Sequence, residues 1–388
     1  MSWTTIRADE YCESVRDGTH DTPKQTETGY KLVTGKHIKN GQIDPSDAYC
    51  ISEKDYKKIN ERSLVEQWDV LMSMIGTVGE VAVVKDHPNY AIKNVALFKC
   101  AGSELKGKWL AYYLQSSDAQ GHMSGNQKGS SQQFLSLKQL RSLPVPVADE
   151  AYMQKAVDVL STYDDLIENN QKQIKLLEEA AQRLYKEWFV DLRFPGHETT
   201  PITDGIPEGW KRERLVDIVK VQYGYAFDGS LFNANGNGTP IVRIRNIPAG
   251  TTADYTTEDA DPQYIVHNGD ILVGMDGEFH INSWSGPDAY LVQRTCSFRP
   301  YNPNMKGYLL QAIYEPIKYF ESTVVGATVA HLGKKHIDTI TVLTGPDKLY
   351  VPFQQYFERR QLLLNQNRLL AEGRDRLLPK LMNGEIEV

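Results

Sequence analysis

Several short motifs of this chain approach the residue patterns of nucleic-acid enzymes, but each lacks an essential part, and no Gly-x-x-x-x-Gly-Lys-Ser/Thr phosphate loop occurs. The segment Asp261-Pro262-Gln263-Tyr264 lacks the second proline of the motif with which adenine methyltransferases hold their base. Glu104-Leu105-Lys106 has nuclease-like spacing, but Gly102 and Gly107 on either side predict a loop. The nine histidines form no His-x-x-x-His or His-Glu-x-x-His pair. The sequence therefore predicts neither a catalytic site nor a metal site.

Size and charge narrow the choice of function further. The 388 residues suffice for two or three domains, and the net charge of −7 is unlike that of an autonomous nucleic-acid binder. Residues 1–148 carry 18 basic and 17 acidic side chains, and residues 192–346 carry 13 and 17. Any contact with DNA must therefore be local, or a partner must supply most of the positive charge.

The sequence predicts a cytoplasmic protein that does not enter a membrane. No apolar stretch approaches the roughly 18–20 residues that span a bilayer, and the segment Met1–Thr5 has neither the basic nor the apolar region of an export signal. The four cysteines form no Cys-x-x-Cys pair, so neither a zinc site nor a disulfide framework is expected.

The elements that must position any functional side chain are organised around one long helix. From Asp149 to Trp188 the chain has no proline or glycine, and apolar or small residues recur every 3.5 residues on average. Asp149 is the predicted N-cap. A second long helix is predicted over residues 349–382, with Pro352 in its first turn and Pro379 ending or kinking it.

An internal repeat relates the two halves of the chain. Leu135, Lys138 and Leu140 match Leu332, Lys335 and Ile337 at a constant offset of 197, and the same offset superposes the apolar seams of both helices. Packing the two helices against each other would bury these seams, antiparallel in a monomer. The predicted seam consists of Leu160, Ile167, Asn170, Ile174, Leu177, Leu184, Phe357, Leu364, Asn367, Leu378 and Leu381.

These patterns predict an α+β protein in which two β-rich domains are separated by a pair of long antiparallel coiled-coil helices. The predicted boundaries are 1–148 for the first domain, 149–191 for the central helix, 192–209 for a linker, 210–346 for the second domain and 347–388 for the C-terminal helix. Within the second domain, Ile241 to Arg245 alternate apolar and basic residues, which predicts a half-buried strand.

The order of several motifs, in duplicate, resembles that of the specificity (S) subunits of type I restriction-modification enzymes. The motifs that carry this resemblance along nearly the whole chain are Ser2-Trp3, Gly18-Thr19-His20-Asp21-Thr22-Pro23, Asp69-Val70-Leu71, Gly76-Thr77-Val78-Gly79, Trp188 to Gly196, Ile206-Pro207-Glu208-Gly209-Trp210, Gly224-Tyr225-Ala226-Phe227, Ile241 to Ile247 and Asp270-Ile271-Leu272.

The resemblance implies that each β-rich domain is a target recognition domain for one half of a split double-stranded DNA sequence. It implies that the paired helices act as a spacer and bind two methyltransferase (M) subunits, through which restriction (R) subunits join. It also implies that the chain has no catalytic site and binds no cofactor, because S-adenosylmethionine, ATP and Mg²⁺ would belong to the partner subunits.

For a DNA-recognition protein, the candidate contact residues are side chains that bind base edges or phosphates. In the first domain these are Lys24, Lys36, His37, Lys39, Asn40, Asn126, Lys128, Ser130 and Gln132. In the second they are Tyr225, Arg243, Arg245 and Asn246. For each of them a solvated surface role is the alternative. Two other hypotheses for the whole chain are a two-headed adaptor that binds proteins or peptides, and a self-contained modifying enzyme with a divergent site.

Overall fold

The computed structural model describes residues 3–76, 78–124, 135–323 and 330–388, which fall into two compact units. The first unit contains the described residues up to Asp165 together with Ala371–Val388, and the second is Leu166–Leu370. Both combine sheets with helices. The predicted fold class is confirmed: there are two β-rich domains, two long helices and an internal duplication.

The first unit is built on a four-stranded antiparallel sheet of order β2-β10-β7-β8 and a three-stranded sheet of order β6-β3-β9, in which β3 and β9 run parallel. Its strands are β1 (Thr4–Arg7), β2 (Ser14–Asp17), β3 (Tyr30–Val33), β4 (Ile38–Lys39), β5 (Gln42–Ile43), β6 (Cys50–Ile51), β7 (Val70–Ser73), β8 (Val81–Val83), β9 (Tyr90–Ile92), β10 (Val95–Lys99) and β11 (Pro144–Val147). Its shorter helices are α1 (Ala8–Tyr11), α2 (Glu53–Ser63), α3 (Glu104–Gln115), α4 (Ser117–Ser124) and α5 (Leu137–Arg141).

The first long helix is α6 (Glu150–Tyr185), and a π-helical turn, Lys186–Val190, follows it. Asp149 caps the helix as predicted, because its Oδ1 accepts a hydrogen bond from the backbone N–H of Tyr152 at 3.0 Å.

The second unit repeats this plan. Its strands are β12 (Ile202–Thr203), β13 (Ile206–Pro207), β14 (Lys211–Arg214), β15 (Val219–Tyr223), β16 (Phe232–Asn233), β17 (Thr239–Val242), β18 (Tyr255–Thr256), β19 (Ile265–Val266), β20 (Ile271–Gly274), β21 (Ile281–Ser283), β22 (Ala289–Leu291), β23 (Thr295–Pro300) and β24 (Thr341–Thr344). Its helices are α7 (Leu215–Ile218), α8 (Lys306–Ala312), α9 (Tyr314–Thr323), α10 (Lys334–Ile337) and, shared with the first unit, α11 (Val351–Met382). The sheet β15-β23-β20-β21 corresponds to β2-β10-β7-β8, and the parallel pair β17 and β22 corresponds to β3 and β9.

An ion pair to a buried aspartate is also duplicated. Lys99 Nζ lies 2.7 Å from Asp69 Oδ2 in the first unit, and Arg299 NH2 lies 2.7 Å from Asp270 Oδ2 in the second. In both units the same carboxylate oxygen accepts a backbone N–H from three residues earlier, at 2.8 Å and 3.0 Å. The repeat found in the sequence therefore extends to the polar contacts that fix the starts of β7 and β20.

The two long helices pair antiparallel within each unit, because residue numbers rise along one helix as they fall along the other. In the first unit the contacts are Tyr152 Oη to the Leu381 carbonyl at 3.0 Å and Arg374 NH1 to Asp164 at 2.7 Å; in the second they are Asn170 to Asn367 at 2.9 Å and Arg360 to Glu178 at 2.6 Å. Pro379 does not end α11, which continues to Met382. The alternative that Pro379 kinks the helix stays a prediction.

Two further predictions are corrected by the structure. The loop predicted at Glu104-Leu105-Lys106 is the first turn of α3, where Ser103 Oγ caps the backbone N–H of Lys106 at 3.3 Å. The strand predicted through Arg245 ends at Val242, and Ile244–Asn246 form a 3₁₀ turn. The alternation of apolar and basic residues there comes from a turn that exposes its middle residue.

Candidate nucleic-acid interface

In the first unit, β3 leads into a 3₁₀ turn, Gly35–His37, that carries two of the candidate residues. His37 is buried, and its Nδ1 accepts the backbone N–H of Thr34 at 2.8 Å, so its ring holds the turn together. Burial is the main cause of the lowered pKa of His37, which favours a neutral ring. Lys36 projects outward, and its Nζ donates to Asp47 Oδ2 at 3.1 Å. That hydrogen bond lowers the pKa of Asp47.

In the second unit, β17 leads into the corresponding turn, Ile244–Asn246. Asn246 Oδ1 accepts the backbone N–H of Arg243 at 2.8 Å, and its Nδ2 donates to Asp254 at 3.1 Å. Arg245 donates to the same carboxylate through Nε at 3.1 Å and NH2 at 2.5 Å. Burial acts to raise the pKa of Asp254, but the hydrogen bonds from Arg245 and Asn246 outweigh it and lower the pKa.

The first turn packs against β7 and the second against β20. At each contact one residue is small and the other is larger, and the two units place the larger residue on opposite sides of the contact. A Cβ on Gly35 would lie 3.2 Å from the Cβ of Ser73 in β7. In the second unit the turn has the large residue, Ile244, and the strand has Gly274, where a Cβ would lie 3.2 Å from the isoleucine Cγ2. The packing of the turn against the strand is therefore preserved, although the residues at both contact positions differ between the two units.

The candidates Lys39 and Asn40 belong to a tight hairpin. Asn40 and Gly41 join β4 to β5 with φ angles of 52° and 77°, which suits a type I′ turn. The backbone N–H of Asn40 donates to Glu80 Oε2 at 3.2 Å, so the turn is tied to the loop before β8. Lys39 is exposed.

The remaining DNA candidates are dispersed. Tyr225 is partly buried, with ring centroids 4.8 Å from Phe227 and 5.1 Å from Tyr264, so much of its ring is used in packing. The Arg243 guanidinium carbon lies 5.5 Å from the centre of the Phe232 ring, a cation–π geometry. Lys24 is exposed. Asn126, Lys128, Ser130 and Gln132 lie outside the described residues.

A charged network that sequence reasoning did not single out surrounds His20. Its Nε2 lies 3.0 Å from Asp17 Oδ2 and its Nδ1 lies 2.8 Å from Asn94 Oδ1. Arg62 also donates to Asp17, which is buried. A cleft of about 310 Å³ adjoins this network, between the segment Thr19–Pro23 and α2. His20 lies in the motif Gly18-Thr19-His20-Asp21-Thr22-Pro23 and Asp17 directly precedes it, but Asn94 and Arg62 are too distant in sequence to be inferred from that motif.

The predicted seam residues lie inside the two helices at buried or partly buried positions. Leu160, Asn170, Ile174, Phe357, Leu378 and Leu381 are buried, and Ile167, Leu177, Leu184, Leu364 and Asn367 are partly buried. Leu160, Leu378 and Leu381 belong to the core of the first unit, whereas Leu184 packs on that of the second.

Over the ranges that the structure describes, no three or more His, Cys, Asp or Glu side chains form a group that could hold a metal ion. Over the same ranges, no helix combines the length and the apolarity needed to cross a membrane.

Comparison with known proteins gives one consistent result. The family described as "Type I restriction modification DNA specificity domain" matches the chain twice, over residues 2–179 and 207–365. The type I restriction enzyme MjaIX specificity subunit of Methanocaldococcus jannaschii is 28% identical over 370 residues, which cover 87% of this chain and 82% of that protein. The type I restriction enzyme EcoBI specificity subunit of Escherichia coli is 30% identical over 143 residues, which cover 36% and 30% of the two chains.

A solved structure shows the same fold. The S subunit of a type I restriction-modification system from M. genitalium superposes with a TM-score of 0.55 at 15% sequence identity. The superposition covers 98% of this chain and 96% of that one.

Proposed function

Because this chain belongs to the family of type I restriction-modification DNA specificity subunits, we propose that each of its two domains recognises one half of a bipartite double-stranded DNA target. The observation that carries this proposal is the duplication. The same sheet order, an ion pair to an equivalent buried aspartate and the same 3₁₀ turn occur twice in one chain. Two similar domains with different exposed side chains suit two half-sites of different sequence.

The proposed role is recognition without chemistry. S-adenosylmethionine, ATP and Mg²⁺ are assigned to partner subunits: two methyltransferase subunits bind this chain, and restriction subunits join through them. The low charge of the recognition domains is consistent with this division, because the partners can supply the positive surface that closes around the DNA.

We propose that the long helices set the spacer between the half-sites. At roughly 1.5 Å per residue, the 36 residues of α6 extend over about 54 Å and the 32 of α11 over about 48 Å. These lengths correspond to between one and two turns of DNA at ~34–36 Å per turn. Inserting the same number of residues into both helices should lengthen the unread spacer, and an unchanged spacer would refute this part of the proposal.

Exposed leucines on the helices are the proposed contacts for the methyltransferase subunits. Leu176 on α6 is 65% exposed and Leu369 on α11 is 57% exposed, although both helices have apolar seams in which to bury such side chains. A double substitution Leu176→Lys and Leu369→Lys should abolish co-purification of the methyltransferase subunits. The matched control is Asn169→Lys and Gln366→Lys, since both of these side chains are polar and exposed on the same helices.

The experiment that tests the proposed function is the mapping of methylated bases across the genome of the host with and without this gene. The expected result is a bipartite methylated motif that disappears with the gene and returns on complementation. A methylation pattern that is identical in both strains would overturn the proposal, whereas turnover of S-adenosylmethionine by the purified chain alone would contradict the absence of chemistry.

A further inference from the structure

The two 3₁₀ turns place one cation each at equivalent positions. Each turn follows the strand that pairs in parallel within its unit, β3 with β9 and β17 with β22. In each, the third residue caps the turn and the middle residue points outward; these middle residues are Lys36 and Arg245. The side chains are 61% and 62% exposed, so neither is needed for packing.

Each cation is held by one carboxylate, and the two carboxylates are not copies of one another. Asp47 lies three residues before β6, whereas Asp254 immediately precedes β18, although β6 and β18 are equivalent strands. In each unit the same carboxylate also approaches the capping residue, at 3.2 Å from His37 Nε2 and 3.1 Å from Asn246 Nδ2. The arrangement of cation, cap and carboxylate is therefore preserved while its parts differ.

In the first unit the loop that bears Asp47 is itself fixed. Lys31 Nζ donates to the carbonyls of Ser46 and Ala48 at 3.3 Å and 2.6 Å, and the backbone N–H of Asp44 donates to the His37 carbonyl at 2.9 Å. A cation held on such a loop is ordered before any ligand arrives, which reduces the entropy lost on binding.

Neither stability nor base recognition accounts for this preserved arrangement. The Lys36–Asp47 pair is exposed on both sides and adds little to folding stability. Asp254 is only 16% exposed, but Asn246 Nδ2 also donates to it, so Arg245, which is itself 62% exposed, is not its sole partner. Two domains that recognise different half-sites need different hydrogen-bonding groups for the bases, whereas phosphates are the same in every sequence. Lys36 and Arg245 have the same charge and similar length, but their hydrogen-bonding geometries differ. Both retain hydrogen-bond donors after they bind their carboxylates: two of the three N–H donors of the Lys36 ammonium, and the NH1 group of the Arg245 guanidinium.

We propose that Lys36 and Arg245 are a matched pair of phosphate-binding residues, each contacting one backbone phosphate in the half-site recognised by its own domain. This inference rests on the proposed function and deepens it, because it separates residues that position the DNA from those that read its sequence. His37 and Asn246 are then positioning residues that orient these cations by capping the turns.

The test uses the complex of the full chain with its methyltransferase subunits and a duplex that contains the methylated bipartite motif. Binding is measured as a function of salt for Lys36→Ala, Arg245→Ala and the double variant. Each single variant should reduce the slope of log K against log salt by about 0.9, and the double by about 1.8. If a single variant and the wild type bind equally at 1 M salt, a slope change of ~0.9 makes the variant bind about eightfold more weakly than the wild type at 0.1 M salt.

Matched controls exist in both domains. Lys57 pairs with Glu53 and is 71% exposed, and Arg214 pairs with Asp217 and is 59% exposed. Lys57→Ala and Arg214→Ala should leave the salt slope unchanged, and the conservative variants Lys36→Arg and Arg245→Lys should retain it. The methylated sequence should be the same for all of these variants.

Three outcomes would overturn the inference. One is a salt slope in Lys36→Ala or Arg245→Ala equal to that of the wild type or of the controls. The second is methylation of a relaxed motif at one half-site, which would indicate a base contact instead. The third is a wild-type complex that methylates no bipartite motif, which would also remove the proposed function, whereas normal wild-type methylation with unchanged slopes would remove this inference alone.

Discussion

Asn170 donates a hydrogen bond from Nδ2 to Oδ1 of Asn367 at 2.9 Å, on facing helices of the second unit. Asn170 is buried, and the apolar residue Ile174 lies one turn further along its helix. A paired amide in an apolar seam favours one register, because a slip of the helices would leave each amide facing aliphatic side chains without a partner.

Replacing Asn170 with alanine should therefore lower the free energy of unfolding by about 1–2 kcal/mol, since a buried hydrogen bond is lost and no apolar surface replaces it. Urea denaturation measures the effect. The exposed neighbour Asn169 is the control, and Asn169→Ala should change stability by no more than ~0.5 kcal/mol. Equal losses in the two variants would show that the amide pair has no special role.

Arg360 joins the second long helix to the sheet of the second unit. Its Nε donates to Glu178 at 2.6 Å, its NH1 to Ser283 Oγ at 2.6 Å and its NH2 to Asn282 Oδ1 at 2.8 Å. Arg360→Ala should cost roughly 2–3 kcal/mol of unfolding free energy, because the buried hydroxyl of Ser283 and the partly buried amide of Asn282 lose a charged donor. Arg360→Lys should recover only part of the lost unfolding free energy, since a lysine ammonium cannot reach the three acceptors that the planar guanidinium contacts.

The adjacent Arg359 provides the comparison for Arg360, because it is exposed and its hydrogen bond with Gln173 is long at 3.4 Å. Arg359→Ala should leave the urea midpoint nearly unchanged. If both alanine variants were equally stable, the contacts of Arg360 with the sheet would be energetically unimportant.

Two glycines at equivalent positions of the two units, Gly18 and Gly224, allow another backbone segment to approach closely. A Cβ on Gly18 would lie 2.3 Å from the Ile92 carbonyl oxygen, and one on Gly224 would lie 2.1 Å from that of Val292. Gly224→Ala should lower stability by roughly 3 kcal/mol, because backbone cannot yield as a side chain can. Gly229→Ala is the control in the same domain, since a Cβ there meets nothing within 4 Å. Thermal unfolding with a similar midpoint for both variants would contradict the packing argument.

Alkaline pH should destabilise the second unit through Tyr185. Burial raises the pKa of Tyr185 to about 12, while an unfolded tyrosine titrates near 10. Between about pH 10 and 12 the unfolded chain releases a proton that the folded chain retains, so stability falls as pH rises in that window and is unaffected by this group below it. The urea midpoint followed from about pH 9 to 12 should fall less steeply in Tyr185→Phe, whereas identical pH profiles would exclude this contribution.

The long helices could be predicted from the sequence because their signal is local and repeated many times. A 3.5-residue spacing over ten turns, capped by Asp149, leaves little alternative to a helix that packs along another. Burial of both seams within one monomer predicted the antiparallel pairing, and the offset between the helices made Asn367 the equivalent of Asn170, to which it is hydrogen-bonded.

The candidate site was harder to predict because its geometry depends on single hydrogen bonds between side chain and backbone. The alternation around Arg243 and Arg245 is the same for a strand and for a 3₁₀ turn. The hydrogen bond that the Arg243 N–H donates to Asn246 Oδ1 favours the turn. The network around His20 needs Arg62 and Asn94, which are brought to it by the tertiary fold.

The contact between turn and strand has its larger residue on the strand in the first unit and on the turn in the second, and this difference affects recombination between the two repeats of the gene. A crossover that joined the turn of the second repeat to β7 of the first would press Ile244 against Ser73. The reciprocal product would join the turn of the first repeat to β20 and leave a void between Gly35 and Gly274. Hybrid proteins that fold well should therefore take the turn and the strand from the same repeat. The positions at which the repeats can be joined are then limited by this contact as well as by the linkers.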